Sequence, residues 1–366
     1  DLGALDAEGR RHATAHPRAL DDAVAEVPEE DLFTLIYTSG TTGPPKGCMI
    51  RHRNYWEMAA VVDRMPRYVE PDDVCLLYLP LAHNFGRLVH LAGPFAGFSI
   101  AFEPDPYAVA DALLAVRPTV LPSVPRVYEK VHAAVLGTFG EASGVKRRLI
   151  DWALAVGRDV GRRRQLGEPV PRGLAVRHRI ADRLVYAKVK TRLGGRLRLP
   201  ISGGAPLGRE VAELFDALDI RIMEGYGLTE CTSAGTSNHL EAYRYGTVGR
   251  ALPGFELRLA ADGELEMRSE TIFAGYYKDE AATAEVLSAD GWLRTGDIAS
   301  IDEDGFVTIT DRKKDIIVTA GGKNIAPSEI ENLLKSSSYV SEAILFADGR
   351  RFPSALIEID FDTVSD

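Results

Sequence analysis

The sequence predicts an α/β protein, in which a layered and mainly parallel sheet with helices precedes a small antiparallel β subdomain and the start of a small α+β domain. Three observations lead to this prediction. Short apolar segments alternate with segments of helical spacing as far as residue 223. Two Asp-Gly turns then separate short strands between residues 255 and 309. A new apolar and helical pattern opens after residue 315.

The layered part is predicted from its short apolar runs, several of them β-branched or aromatic, as buried strands are. Strands are expected at residues 32–37, 74–79, 119–121 and 220–223. Helices are expected at residues 108–116, 127–136 and 209–218. Residues 1–30 have weak periodicity and are interpreted as a lead-in to this part.

The antiparallel part is predicted from two hairpin signals, each an Asp-Gly pair between two short strands. Asp262-Gly263 separates strands at 255–259 and 264–268, and Asp304-Gly305 separates strands at 298–301 and 306–309. We expect a small barrel here, followed by a linker at 311–315, a strand at 316–318 and a helix at 327–334. The predicted domains are residues 1–312, with a β-rich subdomain at 246–310, and residues 313–366.

Composition excludes several classes of protein. The chain has 366 residues, of which 45% are hydrophobic, so it is not disordered, and no apolar run is long enough to span a membrane. Its three cysteines are far apart and form no CxxC pair, which argues against a zinc site or a disulfide framework and favours the cytoplasm.

Charge is distributed unevenly along the chain. The net charge is −10, yet residues 146–198 carry sixteen Lys and Arg against four Asp and Glu. An acidic chain with one basic stretch is not typical of a nucleic-acid-binding protein. The stretch is interpreted either as a solvated helical face or as a surface for peripheral contact with an anionic membrane.

A glycine- and hydroxyl-rich segment at residues 38–47 follows the first predicted strand. Backbone N–H and side-chain O–H groups of such a segment converge on phosphate oxygens, and a lysine adds positive charge. A flexible glycine turn is the alternative, and Gly47 after Lys46 excludes a Walker A loop. The residues expected to bind phosphate are Thr38, Ser39, Gly40, Thr41, Thr42, Gly43 and Lys46.

Further motifs follow in a fixed order: residues 79–83, 202–207, 224–230, 295–297, and 311–315 with 321–324. With the segment at 38–47, this series resembles the adenylate-forming superfamily, which includes acyl-CoA synthetases, luciferases and adenylation domains of nonribosomal peptide synthetases. The resemblance covers residues 32 to about 331. It implies the fold of that superfamily and binding of ATP.

The resemblance also implies roles for single residues. Tyr226 presents a flat ring to adenine, the Asp297 carboxylate and the Arg312 guanidinium bind ribose, and Glu230 is a hard oxygen ligand for Mg²⁺. Thr229 orients the reacting carboxylate. Small residues around the nucleotide are Gly203, Gly204, Ala205, Gly225 and Gly227. Lys46, Thr229 and Glu230 are the expected catalytic residues, His83 borders the acyl pocket, Lys314 is the hinge, and Gly321 and Gly322 line the coenzyme A path.

Taken singly, each of these residues has a structural alternative. Tyr226 fits a core position, Glu230 a solvated acid, Asp297 a turn and Arg312 a surface ion pair. The order of the motifs favours function over these alternatives.

Residues 121–130, the basic helical stretch and residues 193–198 resemble the long-chain fatty acyl-CoA synthetase branch. This implies a ligase that converts fatty acid and ATP to acyl-AMP and pyrophosphate, and then forms a thioester with coenzyme A. Arg87 matches that branch, whereas Gly86 departs from it. Two alternatives remain: a ligase for another carboxylic acid, and a nucleotide- or acyl-binding module without catalysis.

The superfamily also carries a late lysine that contacts the reacting carboxylate, and no residue after Lys335 matches it. The chain is therefore expected to be the central part of a longer enzyme, without the N-terminal subdomain and most of the C-terminal domain. We expect such a chain to bind ATP but to form acyl-adenylate poorly.

Overall fold

The computed structural model describes residues 1–38, 44–318, 320, 324–335, 337, 339–348, 350 and 352–364. Its central element is a seven-stranded sheet in the spatial order β4-β3-β5-β6-β7-β8-β9. The strands are β3 (Val74–Leu77), β4 (Ser99–Phe102), β5 (Val120–Ser123), β6 (Leu199–Ser202), β7 (Met223–Tyr226), β8 (Thr236–Ser237) and β9 (Arg250–Ala251). The strands from β4 to β7 are parallel, and β8 and β9 add antiparallel pairings. The predicted α/β class is confirmed.

Helices precede the parallel sheet and connect its strands, since parallel strands need crossover connections. They are α3 (His52–Asp63), α4 (Asn84–Ala96), α5 (Val109–Val116), α6 (Pro125–Gly140), α7 (Gly144–Gln165), α8 (Arg172–Ala181), α9 (Ala187–Arg192) and α10 (Arg209–Ala217). A π-helical turn, Asp182–Tyr186, joins α8 to α9. The basic stretch thus forms α7 to α9, whose apolar sides are buried at positions such as Ala153, Val160 and Val185.

The first predicted strand does form, but it lies outside the parallel sheet. β1 (Leu32–Thr38) pairs antiparallel with β2 (Lys46–Arg51), from Leu32 opposite Arg51 to Thr38 opposite Lys46. The expectation of a buried strand was wrong, because most of β1 is exposed or half-buried. The reason is that β2 follows too closely for a crossover connection between parallel strands.

The antiparallel part is a four-stranded sheet of β10 (Glu256–Leu259), β11 (Glu264–Arg268), β12 (Leu293–Ile301) and β13 (Val307–Arg312). Helix α11 (Glu280–Val286) precedes β12. Both predicted Asp-Gly hairpins are present, and their glycines have left-handed φ angles of 85° at Gly263 and 83° at Gly305. The expected small barrel was wrong, because β10 and β13 remain the two edges of an open sheet.

The last elements are β14 (Ile317–Val318), β15 (Asn324–Ile325), α12 (Pro327–Lys335), β16 (Val340–Phe346), β17 (Ser354–Ile359) and α13 (Phe361–Val364). Ile317, Leu345 and Ala347 form a small core of their own. The carboxylate of Asp311, at the end of β13, accepts hydrogen bonds from Ser328 N and Ser328 Oγ, both at 3.0 Å. This contact caps the first turn of α12 and joins it to the antiparallel sheet.

Two helices precede β1: α1 (Leu2–Ala15) and α2 (Ala19–Glu26). Neither contains a buried residue. Among the described residues, no helix is both long and apolar enough to cross a bilayer.

Candidate active site

The candidate site lies at the carboxyl ends of the parallel strands, the edge at which open α/β sheets bind ligands. Strand β6 ends at Ser202 and leads into Gly203 and Gly204, and strand β7 ends at Tyr226. Gly203 N donates to Ser123 O at the end of β5, at 3.2 Å. The φ angle of Gly204 is 83°, a conformation that L side chains rarely adopt. Two predicted motifs therefore meet at one sheet edge.

Gly225 and Gly227 let the backbone around Tyr226 pack closely. A Cβ atom at Gly227 would lie 2.2 Å from Ser233 O, so no larger residue fits there. Ala205 is exposed on the loop after β6. Buried Glu224 supports that loop, because its Oε1 accepts from Leu207 N at 3.1 Å. Burial raises the pKa of Glu224 to about 7, against the effect of the Leu207 hydrogen bond.

The hydroxyl of Tyr226 donates to the carboxylate of Asp297. Asp297 lies opposite Arg312 in the β12–β13 ladder, and Arg312 Nε is 3.5 Å from Asp297 Oδ1. Burial raises the pKa of Asp297, and the Tyr226 hydroxyl and the Arg312 charge oppose this rise. Two sheets thus bring together an aromatic ring, a buried carboxylate and a guanidinium, a combination that suits a nucleoside.

The segment of β12 that presents Asp297 has its own support. Gly296, with a φ angle of 74°, donates its N–H to Glu264 Oε1 at 2.9 Å, and Lys313 Nζ lies 2.9 Å from Glu264 Oε2. Thr295 Oγ1 donates to Leu265 O and accepts from Asp297 N. Thr295 is therefore a positioning residue for Asp297.

Glu230 and Lys46 meet around Tyr276. The Tyr276 hydroxyl donates to Glu230 Oε1 at 2.7 Å, and Lys46 Nζ lies 5.0 Å from the centroid of the Tyr276 ring. Lys46 opens β2, so the β1–β2 hairpin delivers it to this position. One phenol thus contacts both groups: its ring faces the Lys46 ammonium, and its hydroxyl binds the Glu230 carboxylate.

Glu230 fits a magnesium ion that is bound mainly by phosphate. The described residues contain no group of three or more His, Cys, Asp or Glu side chains that could hold a metal ion by themselves. Mg²⁺ commonly takes one or two carboxylates together with phosphate oxygens and water. A single half-buried carboxylate beside a lysine suits that kind of site.

The backbone of Thr229 is held by a hydrogen bond from the start of α4. Its carbonyl accepts from Asn84 Nδ2 at 3.4 Å, and Asn84 in turn accepts from the Tyr55 hydroxyl. His83 is exposed and directly precedes Asn84, at the start of α4. Thr229, His83, Gly203 and Gly204 all line one cavity of about 350 Å³.

That cavity is mainly apolar. Beyond the residues named above, its walls come from α3, α4 and the floor of the parallel sheet, and include Met58, Val62, Phe85, Leu88, Val120 and Ile201. A hydrophobic chain would fit this space, with its polar end at Thr229 and Gly203.

The other predicted residues lie as follows. Thr38 ends β1, and its Oγ1 donates to Lys46 O at 3.4 Å. Lys314 is exposed in the turn after β13. Some predicted residues lie outside the described part of the chain: Ser39, Gly40, Thr41, Thr42, Gly43, Gly321 and Gly322. Gly86 has no room for a side chain, because a Cβ atom there would lie 2.7 Å from Pro80 O.

Three side chains that support the site were missed by the sequence prediction: Tyr276, Asn84 and Glu264. Asn84 directly follows a predicted motif, which was a usable signal. Tyr276 and Glu264 reach the site only through the packing of distant segments, and no local pattern indicated them.

Comparison with known proteins decides the family. Residues 2–277 match the family described as AMP-binding enzyme. The chain belongs to this family. Residues 314–365 match the AMP-binding enzyme C-terminal domain. The predicted superfamily is thereby confirmed.

Curated relatives of this AMP-binding enzyme include a long-chain-fatty-acid–CoA ligase of Mycobacterium bovis, which is 39% identical over 98% of the chain and 59% of its own length. A long-chain-fatty-acid–CoA ligase of Rattus norvegicus is 35% identical over 94% of the chain and 53% of its own length. The chain thus spans between half and three fifths of the length of these relatives.

Solved structures of similar fold include ATP-bound MatB from Rhodopseudomonas palustris, with a TM-score of 0.66 and 28% identity over 93% of this chain and 61% of that one. An o-succinylbenzoate coenzyme A synthetase from Bacillus subtilis, solved with ATP and magnesium ion, has a TM-score of 0.67 and 23% identity over 91% and 61% of the two chains. The latter likeness concerns the fold alone.

Proposed function

We propose that this AMP-binding enzyme is a long-chain fatty acid–CoA ligase, which uses ATP to form acyl-AMP and then transfers the acyl group to coenzyme A. One observation carries the proposal. An apolar cavity opens at Thr229, Gly203 and Gly204, beside the Tyr226–Asp297 pair. A chain in that cavity would present its carboxylate at the edge where the nucleotide is expected. The curated ligase relatives support the same substrate class.

In the first step, a carboxylate oxygen attacks the α-phosphorus of ATP and pyrophosphate leaves. In the second step, the coenzyme A sulfur attacks the acyl carbon and AMP leaves. Positioning of two anions provides most of the rate gain in such a transfer. Tyr226 and the loop at Gly203 hold adenine, and Asp297 and Arg312 hold ribose.

Thr229 orients the carboxylate, and Lys46 with residues 38–43 holds the outer phosphates. Glu230 would hold Mg²⁺, which supplies charge neutralisation at the phosphates. The proposal includes the division of the chain at residue 312, with Lys314 as the hinge that brings Gly321 and Gly322 to the coenzyme A path.

The test is pyrophosphate release by the intact protein with ATP and a panel of carboxylic acids. We expect saturated fatty acids to give the highest kcat/KM, because only they fill the apolar cavity. A preference for an aryl acid or an amino acid would show that the substrate is not a fatty acid. AMP binding without pyrophosphate release for any acid would indicate a non-catalytic binding module.

We also infer that α8 contacts an anionic membrane surface. Val176, Ile180 and Leu184 form a row along α8 and the following π-helical turn, and each is between 44% and 52% exposed. Exposed arginines flank this apolar row: Arg177, Arg179 and Arg183. They form no ion pair with any residue of the described chain, whereas nearby Asp182 is paired with Lys190. The combination of an apolar row and basic flanks is typical of helices that lie in the lipid headgroup region.

Sedimentation with phosphatidylcholine vesicles, with and without phosphatidylserine, tests this contact. Because each basic residue near an anionic surface contributes about 1 kcal/mol, replacing all three arginines by Gln should weaken binding by about 100-fold. Replacing Arg147, which is paired with Asp151 on α7, is the control and should have little effect. Equal binding to neutral vesicles, or no binding to either kind, would contradict the inference.

A further inference from the structure

The first turn of helix α4 contacts both the apolar cavity and strand β1. Asn84 and Phe85, on this turn, line the cavity. Arg87 follows Asn84 by three positions, and its guanidinium reaches two other segments. Its Nε donates to Leu81 O at 3.0 Å, and its Nη1 donates to Thr34 Oγ1 in β1 at 2.6 Å. One turn of helix therefore joins a wall of the cavity to β1.

A second contact joins the same elements. The Tyr55 hydroxyl, from α3, donates to Asn84, and the Tyr55 ring meets the ring of Phe33 in β1 edge-on, with centroids 5.3 Å apart. Burial raises the pKa of Tyr55 to about 12, and the charge of Arg87 opposes this rise. The guanidinium thus lies close to the buried phenol, and β1 rests on α3 and α4 through two neighbouring side chains.

Strand β1 leads directly to the segment that is expected to bind phosphate. Thr34 and Thr38 are four residues apart on this strand, or about 13 Å, and Thr38 pairs with Lys46 in the ladder with β2. The same turn of α4 also holds Thr229, through the hydrogen bond from Asn84 Nδ2. It is therefore bonded both to the residue expected to orient the carboxylate and to the strand that leads to the phosphate-binding segment.

We propose that Arg87 is a positioning residue that couples filling of the apolar cavity to binding of the outer phosphates of ATP. This inference rests on the proposed function, which assigns the cavity to the acyl chain and the β1–β2 hairpin to the phosphates. An acid in the cavity packs against the first turn of α4 and fixes it. Arg87 then holds Thr34, and with it the hairpin that carries Lys46. Because coupling between two ligands is reciprocal, ATP also tightens the binding of the acid.

Titration of the intact protein with α,β-methylene-ATP and Mg²⁺, with and without saturating palmitate, tests this coupling. The coupling factor is the Kd without palmitate divided by the Kd with palmitate. Arg87→Met keeps an unbranched stem and loses both hydrogen bonds, so its factor should be lower than that of the wild type by about fivefold or more. The affinity for AMP alone should not change, because AMP lacks the outer phosphates.

Two further variants sharpen the test. Thr34→Val removes the acceptor in β1 and keeps the shape of the side chain, so it should lower the coupling factor as well. The double variant Thr34→Val/Arg87→Met should lose no more than Arg87→Met alone, since both changes break one interaction. Arg64→Met, which loses an ion pair with Glu57 at 3.5 Å on α3, is the control and should retain the wild-type factor.

A coupling factor that is unchanged in both Arg87→Met and Thr34→Val overturns the inference and leaves the ligase function intact. Equal losses of affinity for AMP and for α,β-methylene-ATP in Arg87→Met would also overturn it, because Arg87 would then only support the fold. Failure of every fatty acid to give pyrophosphate release with the wild-type protein would refute the proposed function, and this inference with it.

Discussion

Replacement of Glu230 by Gln is expected to lower magnesium-dependent pyrophosphate release by at least about 100-fold. The substitution keeps the shape of the side chain and removes the negative charge that would hold Mg²⁺ against the phosphates. AMP binding, measured by titration, should change little, because AMP lacks the outer phosphates that share the metal ion.

Tyr276→Phe is the matched variant for this prediction. It removes the 2.7 Å hydrogen bond to Glu230 Oε1 and keeps the ring beneath Lys46. We expect a smaller loss, about tenfold, that raised Mg²⁺ concentration partly restores. Normal turnover of Glu230→Gln would show that Glu230 does not hold the metal ion.

The second large effect is expected at Asp297. In Asp297→Ala, the affinity for AMP and ATP should fall by about 100-fold or more, because a carboxylate that accepts from both ribose hydroxyls makes two charge-assisted hydrogen bonds of about 1.5–3 kcal/mol each. Titration of the purified chain with either nucleotide measures the change.

An AMP analogue without ribose hydroxyls provides an internal check. It should bind weakly to the wild-type protein and show no further loss with Asp297→Ala. Asp304→Ala changes an exposed acid of the same sheet and should leave affinity unchanged. If Asp297→Ala loses affinity equally for AMP and for the analogue, the carboxylate does not bind the ribose.

The sequence was informative where chemistry is local. The order of the motifs predicted the family. The Asp-Gly pairs at Gly263 and Gly305 predicted two hairpins, because a turn with a left-handed φ angle favours glycine. The motifs predict both Tyr226 and Asp297 as site residues. Their proximity depends on two separate sheets, which no spacing rule predicts.

What could not be predicted depends on long-range packing. Tyr276 reaches Glu230 because Ala274 and Met49 pair across the β2 edge, a contact between segments far apart in sequence. The apolar run of β1 predicted a buried strand. Because β1 pairs antiparallel with β2, outside the parallel sheet, most of it is exposed or half-buried. Closure of the antiparallel strands into a barrel depends on edge pairing, and hairpin signals carry no information on that point.

The hydrogen bonds between Asp311 and Ser328 have a mechanical consequence. They cross the stretch that contains Lys314, so any swing of α12 about that residue must first break both. Bonds to a carboxylate contribute about 1.5–3 kcal/mol each, so the two together favour the bonded arrangement by a factor of about 100 or more. The two hydrogen bonds would therefore oppose the movement of α12 that is proposed about Lys314.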